Sequence, residues 1–310
     1  RRQRDGVRRV TLPLLEATPQ AALRRYQRRL DRLLAQQGRL TDAEVRATLS
    51  LLADARARLV ADLAELAGTE GFQPYALGQL RAAVDRTAAR ILTDYGALVT
   101  DGMRRAWERG AGLTPAALEA AGQAVAPTML DVSTTQLQAL QTTSLDLVGK
   151  VTAAFQADAK RALALGVLGG KSPSAIMAEV AALLATQPNR KTGRLGSITQ
   201  QAERIVRTEL AGAFSTANQV RHQQIATAVP GLRKYWLATP DKRTREDHMT
   251  AWARYRPGGS VGPIPVADDY VVGGERCAYP YDPRLSARQT VQCRCRSILW
   301  SADWAKEEAA

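Results

Sequence analysis

Two long runs of apolar residues at helical spacing limit what this chain can fold into. Val45, Leu49, Leu52, Leu59, Leu63 and Leu66 recur three, four or seven residues apart. After a Gly-Phe-Gln-Pro break, Leu77, Leu80, Val84, Ala88, Ile91, Tyr95 and Val99 do the same, with Leu92 beside Ile91. Such a stripe lies on one side of a helix, whereas strand geometry would scatter it over two faces. Thr41-Asp42-Ala43-Glu44 has the form of a capping box opening the first helix, and Gly68 stands where its C-terminal cap belongs. Aromatic residues are only 5 % of the chain, so alanine and leucine, both good helix formers, supply most of the apolar surface.

Further helices are expected over 114–126, opened by Thr114-Pro115, and over 134–165. Gly169-Gly170 is a break, after which Ser172 as N-cap and Pro173 in the first turn predict another helix. Lys171 beside those glycines does not complete a phosphate-binding loop. The polar segment 186–197 reads as the main boundary, with an amphipathic helix from Ile198 to about Ala226 beyond it. Past Pro230 the texture changes to short apolar runs, KYWLA, YVVG and RSILW, between proline, glycine and aspartate. The expected class is therefore mainly α: a long-helix N-terminal region, then a small α+β C-terminal domain with long loops. Three units are expected: an arm over 1–40, a helical domain over 41–196 and the α+β domain over 197–310.

No run reaches the roughly 18–20 apolar residues of a membrane span, and three cysteines make no disulfide framework, so a soluble chain in a reducing cytoplasm is expected. No apolar core follows the basic opening, so no secretory signal is expected, and because RRQRDGV lacks a methionine the native start is expected to have been processed or to lie outside this sequence. The net charge of +13 is uneven: residues 1–40 hold eleven arginines, no lysine and three carboxylates. Arg1, Arg2, Arg4, Arg8, Arg9, Arg24, Arg25, Arg28 and Arg29 are candidate phosphate contacts, because a guanidinium offers an oxyanion a planar fork of donors. Arg284, Arg288, Arg294 and Arg296 form a second candidate basic patch near the C-terminus. An arginine-rich segment suits acidic protein surfaces as well as phosphates, and nothing in the sequence reads base edges, so any binding of double-stranded DNA would lack sequence preference.

Three segments of the last third carry most of the chemistry: AERIVRTEL at 202–210, WLATPDKRTREDH at 236–248 and YPYDPRLSARQTVQCRC at 279–295. Arg207 and Glu209 project about 160° apart around a helix, so they reach different neighbours. Asp241 suits a turn that orders the loop carrying Arg243, Arg245 and His248, which would then face Glu209, Asp282 or an external phosphate. Arg207, Glu209, Asp241, Arg243, Arg245, His248 and Asp282 are thus expected to form a structural polar latch.

In this order and at these separations the segments resemble the Mu F-like head-morphogenesis family, minor head proteins of tailed phages. The matching positions are Arg207, Thr208 and Glu209; Trp236, Asp241, Arg243, Arg245 and His248; and Pro280, Asp282, Pro283, Cys293, Arg294 and Cys295. The resemblance covers residues 198–300, about a third of the chain. The loop MTAWARYRPGG after His248 is longer than in many relatives, and Cys277 stands where relatives have an ordinary apolar residue. The resemblance implies a structural and assembly role in the virion, assembled in the host cytoplasm, with portal protein, major capsid protein and packaged DNA as partners and neither cofactor nor membrane. The alternative is a nuclease or toxin-like enzyme built on Asp241, His248, Glu209 and Arg245, with the histidine as general base.

Cys293 and Cys295 leave two readings open. With His248 and Cys277 they supply the residue types of a zinc site, yet zinc knuckles place two residues, not one, between paired cysteines. On a strand, one intervening residue sends both sulfurs to one face and Arg294 to the other. The preferred reading is two small side chains in the domain core with no metal bound. His222 is expected to be exposed on its polar helix.

Overall fold

The protein is described by a computed structural model over residues 19–67, 72, 76–122, 132–188, 196–229 and 231–301. It is mainly helical with a small C-terminal α+β region, as the periodicity predicts. Arg1, Arg2, Arg4, Arg8, Arg9 and Gly68 lie outside the described residues.

Helix α1 spans Pro19–Glu65 and α2 spans Leu77–Ala120. The expected capping box is not a cap. Thr41 lies in the middle of α1, where its hydroxyl donates to the Gln37 carbonyl at 3.2 Å. Glu44 turns inward and accepts from Arg105 of α2 at 2.6 Å. The helix runs through because Ala22, Tyr26, Leu30 and Leu40 extend the buried stripe backward, so the described part of the expected arm belongs to the core.

Helix α2 is the hub, packing against α1, α3 (Thr134–Leu168) and α5 (Ser197–Ala228). Its buried face runs from Leu80 through Ile91, Tyr95, Val99 and Met103 to Leu118. Gly110 brings α2 and α5 into backbone contact: a Cβ there would stand 2.2 Å from the Phe214 carbonyl oxygen. No new helix begins at Thr114-Pro115; Pro115 sits inside α2. Its missing N–H frees the Ala111 carbonyl, which accepts instead from Arg221 Nε at 3.2 Å. The short α4 (Pro173–Leu183) starts as expected, with the Ser172 hydroxyl accepting from the Ala175 N–H.

The strands are β1 (Arg233–Leu237), β2 (Ile264–Pro265), β3 (Tyr270–Val272), β4 (Glu275–Cys277) and β5 (Arg296–Trp300). An antiparallel sheet of order β2-β1-β5 pairs Trp236 with Ser297 and Tyr235 with Ile298. β3 and β4 form a hairpin whose two-residue turn, Gly273-Gly274, has φ of 58° and 84°. Two short helices, α6 (Glu246–Tyr255) and α7 (Ala287–Thr290), complete the region.

Two apolar clusters meet at this sheet. Tyr235, Leu237 and Ile298 pack with the helices, while Trp236 joins Tyr255, Tyr270, Tyr281 and the three cysteines in a second, smaller core. Although α5 follows the expected boundary, Ile198, Ala202, Val206, Leu210 and Phe214 belong to the helical core. Polar ties reinforce the junction: Asn218 donates to the Ser297 carbonyl at 2.9 Å, and Tyr26 of α1 donates to the Leu299 carbonyl at 3.1 Å.

Candidate functional site

The Arg-Thr-Glu triplet fans out from α5 in three directions. Arg207 donates to Glu203 at 2.9 Å and to Asp42 of α1 at 3.0 Å. Glu209 faces α3, where the Ser144 hydroxyl lies 2.6 Å away, and burial raises its pKa against the lowering effect of that hydroxyl. Thr208 alone reaches the C-terminal region, accepting from the Gln292 N–H at 3.1 Å. The single latch expected from the sequence is therefore two devices: Arg207 and Glu209 lock α5 into the bundle, and the remaining residues hold the α+β region together.

In that region Asp241 orders its own turn by accepting from the Arg243 N–H at 2.9 Å, and it receives two bonds from Arg294, one of 2.6 Å. The Arg294 pairing holds its carboxyl well below the usual range. Arg245 donates to the Val291 carbonyl at 2.6 Å, and the Arg243 side chain is exposed. Neither reaches Glu209 or Asp282. Asp282 accepts from the Ala278 N–H at 2.7 Å and from Arg284, which also grips Asp269 at 2.8 and 2.9 Å. Burial opposes ionisation of Asp282, but Arg284 and two backbone N–H groups outweigh it and keep its pKa low.

These pairings correct the expected C-terminal basic patch. Arg284 and Arg294 are committed to carboxylates, and Arg288, with 81 % of its side chain exposed, lies 3.7 Å from Asp247. Arg296 stacks over the Phe214 ring at 5.2 Å. By contrast Arg24, Arg28 and Arg32 are exposed along α1 at intervals of four residues, with Arg25 and Arg29 half-buried beside them.

His248 stands on the inner face of α6 with Ala251 and Tyr255, and is 1 % exposed. Its Nδ1 lies 3.2 Å from Cys295 Sγ and 3.5 Å from Cys293 Sγ. The other ring nitrogen, Nε2, lies 2.9 Å from Gln289 Oε1, while Gln289 Nε2 donates to Asp247 at 3.0 Å. Cys293 and Cys295 precede β5 in irregular backbone, just after Gln292 at φ 53°. As the sequence suggests, both sulfurs point inward and Arg294 outward. The Cys295 thiol and His248 favour ionisation of Cys293, whereas its neighbour's sulfur and burial hold Cys295 protonated.

Among the described residues, His248, Cys293 and Cys295 are the group whose donor atoms converge as metal ligands, all within 4.8 Å of one another. Cys277, the fourth candidate, lies outside that group on β4, where burial pushes its thiol up to about 12. Sequence reasoning missed Asp247 and Gln289, which orient the histidine, and also Lys234. Lys234 is fully buried, donates to the Ala278 carbonyl at 2.6 Å and sits 5.0 Å over the Tyr270 ring. Burial lowers its pKa to about 8, against the pull of Asp269. The available signal was its place two residues before Trp236, on the same strand face.

His222 reverses expectation. It is fully buried on α5, 2.9 Å from the Thr114 hydroxyl, and burial lowers its pKa to about 3. A surface cleft of about 340 Å³ between α1 and α2 is lined by Asp54, Arg58, Arg90 and Asp94, none of them motif residues. A smaller one of about 250 Å³ is lined by Arg245, Glu246, Asp247 and Arg288. No family model, curated protein or solved structure matches this chain.

Proposed function

We propose that this chain is a minor capsid, head-morphogenesis component of a tailed phage that sits at the portal vertex and touches packaged DNA without sequence preference. The supporting observation is that the three motif segments bind one another. Thr208 holds Gln292, Asp241 holds Arg294, Arg245 holds Val291, and His248 meets Cys293 and Cys295. Residues spent on internal contacts suit an assembly module more than a reaction centre. The candidates for an enzyme also have separate partners: Asp241 is gripped by Arg294, while His248 is buried against Gln289 and the sulfurs.

The exposed arginine stripe on α1 supports polyanion contact, and portal and major capsid proteins are the proposed protein partners. Co-expression with the portal protein should yield a complex that survives purification, and the chain should be recovered from particles in few copies. Nicking of plasmid in the presence of Mg²⁺ or Mn²⁺, abolished in His248→Ala, would overturn the reading in favour of a nuclease. Deleting residues 1–40 is a poor test, because it removes Tyr26, Leu30 and Leu40 from the core.

A further inference from the structure

We propose that His248, Cys293 and Cys295 bind a thiophilic divalent ion, zinc, which ties the loop before β5 to helix α6. The first reason is convergence: two sulfurs from one loop and one nitrogen from α6 meet in a buried spot. Zinc bonds of about 2.3 Å to sulfur and about 2.0 Å to nitrogen place tetrahedral S and N ligands about 3.5 Å apart. The observed N···S separations are 3.2 and 3.5 Å.

The second reason is the tautomer of His248. A carboxylate only accepts, so the bond from Gln289 Nε2 to Asp247 fixes which end of the amide faces the ring. Gln289 Oε1 then faces His248 Nε2, which must carry the proton. In the neutral ring Nδ1 is then the acceptor, and it faces both sulfurs. A metal-binding imidazole usually donates its other N–H to a carboxylate, carbonyl or water, and here the Gln289 amide oxygen, held by Asp247, takes that place. The Gly273 turn packs against this relay, since a Cβ there would stand 2.3 Å from Gln289 Nε2 and 2.6 Å from an Asp247 oxygen.

The third reason is the donors around the sulfurs. The Cys295 N–H donates to Cys293 Sγ at 3.4 Å. The Trp236 indole, whose N–H is fully buried with no hydrogen-bond partner among the described residues, stands edge-on to the His248 ring with centroids 5.6 Å apart. Without an ion the group can be satisfied only as a chain, the Cys295 thiol donating to Cys293 and Cys293 to Nδ1, which leaves the shorter 3.2 Å approach of Nδ1 to Cys295 unused. Two thiolates and a dication cancel in charge, which makes burial of the assembly tolerable. The spacing objection applies to regular strands and knuckle turns, and Cys293–Cys295 lies in neither.

Binding the ion releases two thiol protons to solvent, and the three side chains supply three of the four tetrahedral positions. The test is independent of the phage assignment: metal analysis and cobalt titration of the full chain. One zinc per chain is expected, together with a thiolate-to-cobalt charge-transfer band lost in Cys293→Ser and Cys295→Ser and retained in Cys277→Ser. Removing zinc with a chelator should expose two further thiols to a thiol reagent and lower the unfolding temperature of the unaltered protein. Since a serine variant can fail to fold, the unaltered chain decides. Folded protein with substoichiometric zinc, no cobalt band and no chelator effect overturns the proposal.

Discussion

His222 and Lys234 are buried bases in a small protein, and both make stability depend on pH in the same direction. The His222 imidazole has only the Thr114 hydroxyl at Nε2, and its Nδ1 has no partner, so a charged ring is unfavourable there. Its pKa falls from the ordinary 6.5 to about 3 on folding. Between those values the unfolded chain binds more protons than the folded one, and stability is lost as pH falls from 6.5 toward 3, by up to about 1.4 kcal/mol per pH unit. His222→Gln should flatten that part of a denaturation curve measured against pH. Lys234 acts in the window from about 8 to its ordinary 10.5, where its contribution makes stability rise with pH. Lys234→Met should remove that rise, as chemical denaturation across the window would show. Neither residue was legible as buried: a histidine between Arg221 and Gln223 reads as solvated, and burial of a strand lysine depends on what covers that face.

At the scale of elements, the close approach of α2 and α5 is set by glycine, and two glycines two residues apart should respond oppositely. Gly110→Ala places a methyl against the Phe214 carbonyl and should destabilise by about 1–3 kcal/mol, as overpacking does. At Gly112 a Cβ meets nothing within 4 Å, so Gly112→Ala should stabilise by about 0.5–1 kcal/mol through helix propensity alone. Thermal unfolding of the two variants checks both. Helix and strand types were readable locally: the Leu, Val and Ala stripes of α1 and α2, the Ser172 cap, and the short apolar runs KYWLA, YVVG and RSILW between turn residues. The errors lay at ends. Thr41-Asp42-Ala43-Glu44 is a capping box only if the chain before it is not helical, and Tyr26 and Leu30 make it helical. Pro115 stops a helix unless another group satisfies the freed carbonyl, and Arg221 is more than a hundred residues away. Long-range partners of this kind leave no local trace.

Across the whole molecule, the sequence named most residues of the candidate site but not what each one grips. The triplet on α5 spreads over α1, α3 and the Cys293 loop, so a latch drawn within the last hundred residues was too small. The same redistribution decides which cations remain free for a polyanion. Arg284 and Arg294 neutralise Asp269, Asp282 and Asp241, whereas Arg24, Arg28 and Arg32 line an exposed face of α1. The decisive measurement is the salt dependence of retention on double-stranded DNA, paired with unfolding midpoints, for two variants: Arg24→Gln/Arg28→Gln/Arg32→Gln and Arg284→Gln/Arg294→Gln. The first should weaken binding and reduce the slope of log affinity against log salt by about 0.9 per lost contact, with its midpoint unchanged. The second should keep its slope and lose about 1–2 kcal/mol of stability, because the Asp282 carboxylate is left short of partners. A lost slope in the second variant with an unchanged slope in the first would contradict the assignment of these guanidiniums to internal contacts.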